Sequence, residues 1–281
     1  MTSEEMKAKI AAGQGFIAAL DQSGGSTPKA LRGYGVDDSE YTGDDEMFAR
    51  IHEMRSRIIT SPCFSNGKVI GAILFEKTMD GHVDGKTTPQ ALIDRGIVPF
   101  IKIDKGLEDE GFGGFGGVQL MKPMPELDAL LSRAKGLGVF GTKERSVINK
   151  ADPKGIAAIV EQQFEIGRQV LAAGLVPMLE PEYSINAEGR AEGEKILKDE
   201  ILRNLDSVPD GEQVMLKLSI PVEPNLYADL IAHPKVLAVV ALSGGYSTEE
   251  ACEKLAKNKG MIASFSRGLL QDLRKQQSDD E

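Results

Sequence analysis

The stretch QVMLKLS, from Gln213 to Ser219, places one lysine inside an apolar, β-rich run. Such a run is typical of a buried strand, and lysine is almost never fully buried without a partner. Two interpretations of Lys217 follow. The first is a solvated lysine on an edge strand, where lysine commonly prevents edge-to-edge aggregation. The second is a functional amine near the end of a strand inside a sheet.

Seven further runs of this kind occur, each short, apolar and bounded by turns. They are Gly15 to Asp21, Val69 to Phe75, Ile97 to Asp104, Gly136 to Lys143, Leu175 to Glu182, Val236 to Ser243 and Met261 to Arg267. Between them lie patterns with helical spacing, and every strand except the last is expected to lead into a helix. The helical patterns run from Asp44 to Ile59, Pro125 to Ala134, Ala191 to Leu205 and Thr248 to Lys257, with two more opening at Thr88-Pro89 and Asp152-Pro153.

Strands that alternate with helices pair in parallel, and eight such units close into a barrel. The competing arrangement is a doubly wound open sheet. Polar residues at the strand ends favour the barrel, because a barrel gathers these ends at one mouth. These residues are Asp21, Glu76, Lys102, Lys143, Glu180, Lys217, Ser243 and Arg267. The sequence therefore predicts α/β architecture with a single (β/α)8 TIM-barrel domain over residues 1–281, of which about 271–281 form a flexible tail.

Composition excludes several classes of partner. The formal net charge of −10 argues against a nucleic-acid or acidic-membrane surface. No apolar run approaches the roughly 20 residues of a membrane span, and the N-terminus lacks signal-peptide order, so we expect a cytoplasmic protein. The three histidines are scattered, so we expect no metal site and no cofactor. Cys63 and Cys252 lie far apart and are expected to be buried free thiols.

Candidate catalytic groups lie at the ends of the fourth, fifth and sixth strands. A lysine that attacks a carbonyl must lose its proton, which desolvation or a nearby cation favours, and Lys143 is a candidate for that cation. Glu180 and Glu182 are two residues apart, so both face the same side of an extended strand. We interpret Glu180 as the proton carrier and Glu182 as the group that positions a lysine, although either carboxylate is as readily a structural ion-pair partner.

Asp21 is the candidate at the end of the first strand. It precedes the hydroxyl-rich turn from Gln22 to Ser26, and an Asx turn is a common use of this residue type. In a closed barrel it would also lie near Lys143 and Lys217, which favours a role in activating a substrate hydroxyl.

Anion-binding groups follow the last two strands, where barrels often bind phosphate. The group combines glycine amides, hydroxyls and a guanidinium that can bind phosphate through two hydrogen bonds. Its members are Ser243, Gly244, Ser264, Ser266 and Arg267. Lys102, with Ser23 and Ser26, forms a second candidate site across the mouth. Two phosphate sites predict a bisphosphate substrate.

The segment Gly111 to Gly116 matches the dinucleotide fingerprint GxGxxG, but its context is wrong. An acidic stretch precedes it and prolines follow it, whereas the fingerprint joins a strand directly to a helix. We therefore expect a flexible loop over the mouth and no dinucleotide.

Several segments together resemble a known family. They are Ala19-Leu20-Asp21, Ile101 to Gly106, Lys143-Glu144-Arg145, Val176 to Glu182, Leu216-Lys217, Leu242 to Gly245 and Ser264 to Arg267. In their order and spacing, the chain resembles class I fructose-bisphosphate aldolases in the shorter bacterial form. The resemblance implies metal-independent, reversible cleavage of fructose 1,6-bisphosphate to dihydroxyacetone phosphate and glyceraldehyde 3-phosphate.

The resemblance also assigns roles to residues. Lys217 would form the Schiff base, Glu180 would transfer protons, Asp21 would act on the C4 hydroxyl, and Lys143 and Glu182 would support them. One phosphate would bind at Ser243, Gly244 and Arg267, and the other near Lys102, Ser23, Ser26 and Arg145. Departures are Glu144 where animal members have tryptophan, Ala30 where they have arginine, and the lack of a long arm ending in tyrosine.

Two alternatives remain at this stage. One is a Schiff-base barrel aldolase for another sugar phosphate, since one scaffold accepts many substrates. The other is a barrel that binds sugar phosphates without catalysis, against which the joint presence of Lys217, Glu180 and Asp21 argues. Small-molecule sugar phosphates are the expected partners in either case, and assembly into a homo-oligomer is open.

Overall fold

Eight parallel strands form the centre of the computed structural model, which describes residues 1–281 except for the side chain of Arg267. They are β1 (Phe16–Leu20), β2 (Val69–Leu74), β3 (Val98–Lys102), β4 (Gly141–Lys150), β5 (Val176–Glu188), β6 (Val214–Ser219), β7 (Val236–Leu242) and β8 (Met261–Ala263). Neighbours in the sheet are neighbours in the chain, and β8 contacts β1. The sheet is thus a nearly closed (β/α)8 barrel, which confirms the predicted fold and excludes the doubly wound sheet.

Helices occupy the connections and the N-terminus. They are α1 (Ser3–Ala12), α2 (Ser26–Tyr34), α3 (Gly43–Thr60), α4 (Glu76–Met79), α5 (Thr88–Asp94), α6 (Leu127–Gly136), α7 (Pro153–Ala172), α8 (Arg190–Leu205), α9 (Ala228–Ile231), α10 (Thr248–Leu255) and α11 (Arg267–Leu270). Short 3-10 helices cover Asp38–Glu40, Pro62–Ser65 and Phe112–Gly114. A hairpin joins His82–Val83 to Lys86–Thr87, and Val118–Gln119 pairs antiparallel with β4.

Two expectations about element limits were wrong. The fourth strand was predicted at Gly136 to Lys143, but α6 continues to Gly136, and the chain then turns through Gly138 at φ +82° before β4 begins at Gly141. β4 also extends to Lys150, because its second half pairs with β5 and with Val118–Gln119. The last strand was predicted to run to Arg267 but ends at Ala263, and it does lead into a helix, the short α11.

Apolar side chains fill the N-terminal half of the barrel interior. One cluster contains Ile17, Phe100, Met178, Met215 and Val240 from five of the strands. Met6 and Ile10 of α1 belong to the same cluster, and α1 contacts β2 and β7. This helix was not predicted. It closes the N-terminal end of the barrel, so the polar residues near the C-terminal ends of the strands lie at the open mouth.

The expectation about the cysteines is half right. Cys63 and Cys252 are free, but both are exposed. Cys63 lies in the 3-10 helix Pro62–Ser65, where Phe64 takes the buried position, and Cys252 follows the buried Ala251 in α10. Among the helices that the structure describes, none combines the length and apolar character needed to cross a membrane.

The C-terminal residues contact the outer helices. The backbone N–H of Lys275 donates a hydrogen bond to the carbonyl of Tyr34, and the Arg57 guanidinium pairs with Asp279 at 3.1 Å. The predicted flexibility of residues 271–281 stays a prediction.

Candidate active site

A cavity of about 640 Å³ lies at the C-terminal mouth of the barrel. All predicted site residues other than Arg267 line it: Asp21, Ser23, Ser26, Lys102, Lys143, Arg145, Glu180, Glu182, Lys217, Ser243, Gly244, Ser264 and Ser266. The side chain of Arg267 lies outside the described part of the structure. A second cavity, of about 700 Å³, lies near the N-terminal ends of β1 and β2 and shares none of these residues.

Lys217 is buried inside the sheet. Its strand, β6, pairs with β5 on one side and β7 on the other, so the edge-strand interpretation is wrong. Met215 lies in the barrel interior, and alternation along the strand directs Lys217 inward one layer closer to the mouth. Only 4% of Lys217 is exposed. A primary amine at this position is shielded from water and faces a cavity large enough for a small molecule.

Lys217, Glu180, Lys143 and Asp21 form a continuous chain of alternating charges. Lys217 Nζ lies 3.0 Å from Glu180 Oε1, and Lys143 Nζ lies 2.9 Å from Glu180 Oε2. The same ammonium lies 2.7 Å from Asp21 Oδ2. All four side chains are buried or nearly so, and each charge has a partner of opposite sign. Such pairing offsets the desolvation cost that isolated buried charges would carry.

The two carboxylates of this chain remain ionised in spite of burial. Burial raises the pKa of Asp21, but the ammonium groups of Lys143 and Lys217 outweigh it and hold that pKa well below its usual range. The same cations lower the pKa of Glu180 against the effect of burial. Burial opposes the charge of Lys143, yet Asp21 and Glu180 raise its pKa well above the ordinary value. In the site without substrate, Lys143 is therefore a cation held between two ionised carboxylates.

Glu182 lies at the mouth as predicted, but it pairs with Arg145 Nε and not with a lysine. Glu180 and Glu182 do share one face of β5, and register explains their different partners. Arg145 is paired with Glu180 across the β4–β5 ladder, so its long side chain reaches the carboxylate two residues further on. Glu182 thereby positions a guanidinium at the rim of the cavity.

The turn after β7 and the end of β8 form one polar wall of the cavity. Gly244 has φ +60°, and a Cβ at this position would lie only 2.8 Å from Ile185 Cγ2, so glycine is required there. Ser264 is 2% exposed, and its hydroxyl has no hydrogen-bond partner among the residues that the structure describes. A buried donor of this kind is costly unless a ligand satisfies it.

Lys102, Ser23 and Ser26 form a second polar part of the cavity lining, near the ends of β3 and β1. Ser26 is the first residue of α2, and its hydroxyl donates to the carbonyl of Ser23 at 2.8 Å while accepting from the Ser23 N–H at 3.0 Å. The N-terminus of α2 thus borders the cavity, an arrangement that favours anions. Lys102 Nζ pairs with Asp104 Oδ1 at 2.6 Å.

Sequence reasoning missed Asp104, which lines the cavity, and Arg55, which supports a loop beside it. Asp104 also accepts hydrogen bonds from the backbone N–H groups of Arg145 and Gly106, so it organises this side of the mouth. The alternation of charged and apolar residues in the run ending at Asp104 was a usable signal.

Arg55 is fully buried beneath the loop after β1. Its guanidinium donates to the carbonyl of Gln22 at 2.6 Å and to Thr78 Oγ1 at 2.7 Å. Burial lowers the pKa of Arg55 to about 10, and the negative charge of Asp21 opposes that effect. An arginine on the otherwise apolar face of α3, one turn after Ile51, was the available signal.

Glu144 does not line the cavity, unlike its neighbours Lys143 and Arg145. It is fully buried, and its Oε2 accepts a hydrogen bond from Thr142 Oγ1 at 3.0 Å. Burial raises the pKa of Glu144 well above its usual range. Because Glu144 does not line the cavity, the departure at this position adds no side chain to the mouth.

The glycine-rich segment forms a 3-10 turn and not a strand-to-helix junction, which confirms that it is no dinucleotide fingerprint. The base of this loop, at Gly106 and Leu107, lines the mouth. Its tip, at Phe112, instead borders a separate cavity beside α7.

Comparisons with known proteins identify a family and a solved structure with the same fold. A family model described as fructose-bisphosphate aldolase class-I, of the glycolytic group, matches residues 2–225. The solved aldolase of Plasmodium falciparum shares 20% sequence identity and the fold, with a TM-score of 0.75 over 94% of this chain and 84% of that one. A putative orotidine-monophosphate decarboxylase from Toxoplasma gondii, at 13% identity over 94% and 88% of the two chains, has a TM-score of 0.42. A sugar phosphate isomerase/epimerase from Parabacteroides distasonis, at 12% identity over 94% and 90%, has one of 0.44.

Proposed function

Because this chain belongs to the class I fructose-bisphosphate aldolase family, we propose that Lys217 is the amine that forms the Schiff base with the ketose. The enzyme is a lyase that reversibly cleaves fructose 1,6-bisphosphate to dihydroxyacetone phosphate and glyceraldehyde 3-phosphate. The observation that carries the assignment is the 3.0 Å contact between Lys217 Nζ and Glu180, inside a buried cavity at the mouth of the barrel.

Glu180 serves formation of the imine. Lys217 Nζ transfers a proton to the neighbouring carboxylate and attacks C2 of the substrate. A proton then moves from the nitrogen to the C2 oxygen, which gives a neutral carbinolamine. Glu180 then returns the proton to the departing C2 oxygen, so water leaves and a protonated imine forms. Lys143, held between Glu180 and Asp21, keeps both carboxylates in place during these transfers.

Asp21 serves cleavage of the C3–C4 bond. Its ionised carboxylate accepts the proton of the C4 hydroxyl, and the electrons of the broken bond move into the protonated imine to give an enamine. Glyceraldehyde 3-phosphate leaves at this point. Protonation of the enamine at C3 and hydrolysis of the imine release dihydroxyacetone phosphate and regenerate Lys217.

The two polar walls of the cavity hold the phosphates. The imine forms at C2, so the C1 phosphate lies close to Lys217. It binds at Ser243, Gly244, Ser264 and Ser266, near the ends of β7 and β8, because β7 is the direct neighbour of β6. The C6 phosphate binds across the mouth at Lys102, Arg145, Ser23 and Ser26. Arg267 belongs to the first group by resemblance.

Lys217→Met tests this assignment. A methionine fills similar space without an amine, so cleavage of fructose 1,6-bisphosphate is expected to fall by at least about 10⁴-fold. Lys105→Met is the matched control, because Lys105 pairs with Glu76 outside the cavity and its loss is expected to leave kcat within twofold. Cleavage by Lys217→Met at a rate near that of the wild type would reject the assignment.

Cytoplasmic location and the absence of nucleic-acid partners stay predictions, and assembly into a homo-oligomer stays open. The sugar-phosphate partner is supported by the family and by the two anion-binding walls.

A further inference from the structure

We propose that Arg190 is a positioning residue that holds the turn from Ser243 to Tyr246 beside Lys217, and so sets the affinity for the C1 phosphate. This inference rests on the proposed function. Arg190 begins α8, outside the cavity, and is not among the residues that line it. It acts through Tyr246, the residue that follows the two glycines of the phosphate-binding turn.

The Arg190 guanidinium joins three segments near the mouth. It donates a hydrogen bond to the Tyr246 hydroxyl at 2.9 Å and another to the carbonyl of Ile220. Ile220 directly follows the strand that carries Lys217. The third contact is an ion pair with Glu194 at 2.7 Å, one turn along α8. One side chain thus connects the nucleophile's strand, the phosphate-binding turn and a barrel helix.

This anchor is rigid because it is buried. Arg190 is 6% exposed and Glu194 is fully buried. The second carboxylate oxygen of Glu194 accepts a hydrogen bond from the backbone N–H of Val222 at 2.8 Å. The ion pair therefore has little freedom to exchange its partners for water, and removing one member would leave a buried charge without compensation.

The turn requires such an anchor. Gly244 and Gly245 have φ +60° and +118°, which glycine adopts readily. Glycine also has high backbone entropy, so an unanchored turn would sample many other conformations. The carbonyl of Ser243 accepts a hydrogen bond from the N–H of Tyr246 at 3.0 Å, which closes the turn. Fixing Tyr246 therefore fixes the amides and the hydroxyl that face the phosphate, and less entropy is lost when the ligand binds.

Tyr246→Phe tests the inference with least disturbance, because it removes the hydroxyl and keeps the ring. The measurement is the yield of the borohydride-reduced Lys217 adduct as a function of dihydroxyacetone phosphate concentration. We expect the half-saturating concentration to rise about three- to tenfold, as for the loss of one hydrogen bond, with the plateau unchanged. Dihydroxyacetone without phosphate is the second ligand, and its half-saturating concentration is expected to stay the same.

Tyr41→Phe is the matched control, since the Tyr41 hydroxyl donates to Asp38 at 3.0 Å away from the cavity. It is expected to change neither titration. Arg190→Met is expected to raise the half-saturating concentration of dihydroxyacetone phosphate at least as much as Tyr246→Phe does. If the Arg190→Met variant does not fold, Tyr246→Phe alone decides the test.

Three outcomes are distinguishable. An unchanged dihydroxyacetone phosphate titration in Tyr246→Phe overturns the inference, and so does an equal shift for both ligands, which indicates general loosening of the site. Failure of the wild-type protein to form any adduct at Lys217 instead rejects the proposed function.

Discussion

The carboxylate of Glu180 lies 3.0 Å from the amine of Lys217, with its other oxygen 2.9 Å from Lys143. One acid thus contacts both the proposed nucleophile and a second lysine inside a shielded cavity. Because Lys143 also pairs with Asp21, the acid proposed to serve the imine and the acid proposed to serve carbon–carbon cleavage are coupled through a single ammonium group.

Glu180→Gln is expected to lower kcat for cleavage by about 10² to 10⁴-fold, the usual contribution of a general acid–base group. The amide keeps the size of the side chain but carries no proton between Lys217 and the substrate oxygen. Steady-state kinetics with fructose 1,6-bisphosphate measure the effect, and KM is expected to change far less than kcat. A kcat within twofold of the wild-type value would show that Glu180 is not the proton carrier.

Lys143→Met is expected to lower the free energy of unfolding at pH 7 by about 3–5 kcal/mol, because it leaves two buried carboxylates without their shared cation. Urea denaturation measures this change. Lys77→Met, which removes an exposed ion pair with Asp45, serves as the control and is expected to leave the unfolding midpoint almost unchanged. Equal effects of the two substitutions would contradict the coupling described above.

The ionised carboxylate of Asp21 contributes to the free energy of unfolding, and this contribution is expected to be lost at acidic pH. Its folded-state pKa lies below the unfolded value of about 4, so its contribution is present above that pH and is lost as the pH falls toward the folded-state pKa. Asp21→Asn is therefore expected to flatten the dependence of unfolding free energy on pH below about 4. Denaturation at a series of pH values checks this, and an unchanged acid dependence would refute it.

Glu144→Gln is expected to stabilise the protein progressively as pH rises above about 4, the unfolded pKa of glutamate. The folded-state pKa of Glu144 is raised, so its contribution is fully present below that pH and is lost as pH rises through the folded value. Within this window the gap between the variant and the wild type grows by up to about 1.4 kcal/mol per pH unit. A gap independent of pH would mean that Glu144 is ionised in the folded protein.

Lys102→Met is expected to raise KM for fructose 1,6-bisphosphate about 10- to 100-fold, the range for a charged hydrogen bond, and to leave KM for fructose 1-phosphate unchanged. The second substrate lacks the C6 phosphate that Lys102 is proposed to hold. Equal increases for both substrates would place Lys102 elsewhere in the mechanism.

Sequence patterns predicted the barrel, and nearly all of the predicted site residues line the cavity, because both depend on local rules. Strands such as Val69–Leu74 are continuously apolar, and a lysine or glutamate near the end of such a strand lies at the mouth once the barrel closes. The partners in each ion pair were harder to predict from the sequence. That Glu182 binds Arg145 rather than a lysine depends on the register between β4 and β5, which no single strand encodes.

Residues that act from outside the mouth were missed for the same reason. Arg55 lies on α3, yet it organises the loop at Gln22, more than thirty positions earlier in the chain. Arg190 contacts Tyr246 across an even longer separation. Neither interrupts a strand, so neither produces the signal that identified Lys217. The helix α1 was missed because only Met6 and Ile10 of its ten residues are buried, which gives almost no apolar periodicity.

The most direct test of the account is reduction with borohydride in the presence of dihydroxyacetone phosphate, followed by peptide mass mapping. The account predicts one reduced adduct, on Lys217. No adduct, or an adduct on another lysine such as Lys143, would contradict it.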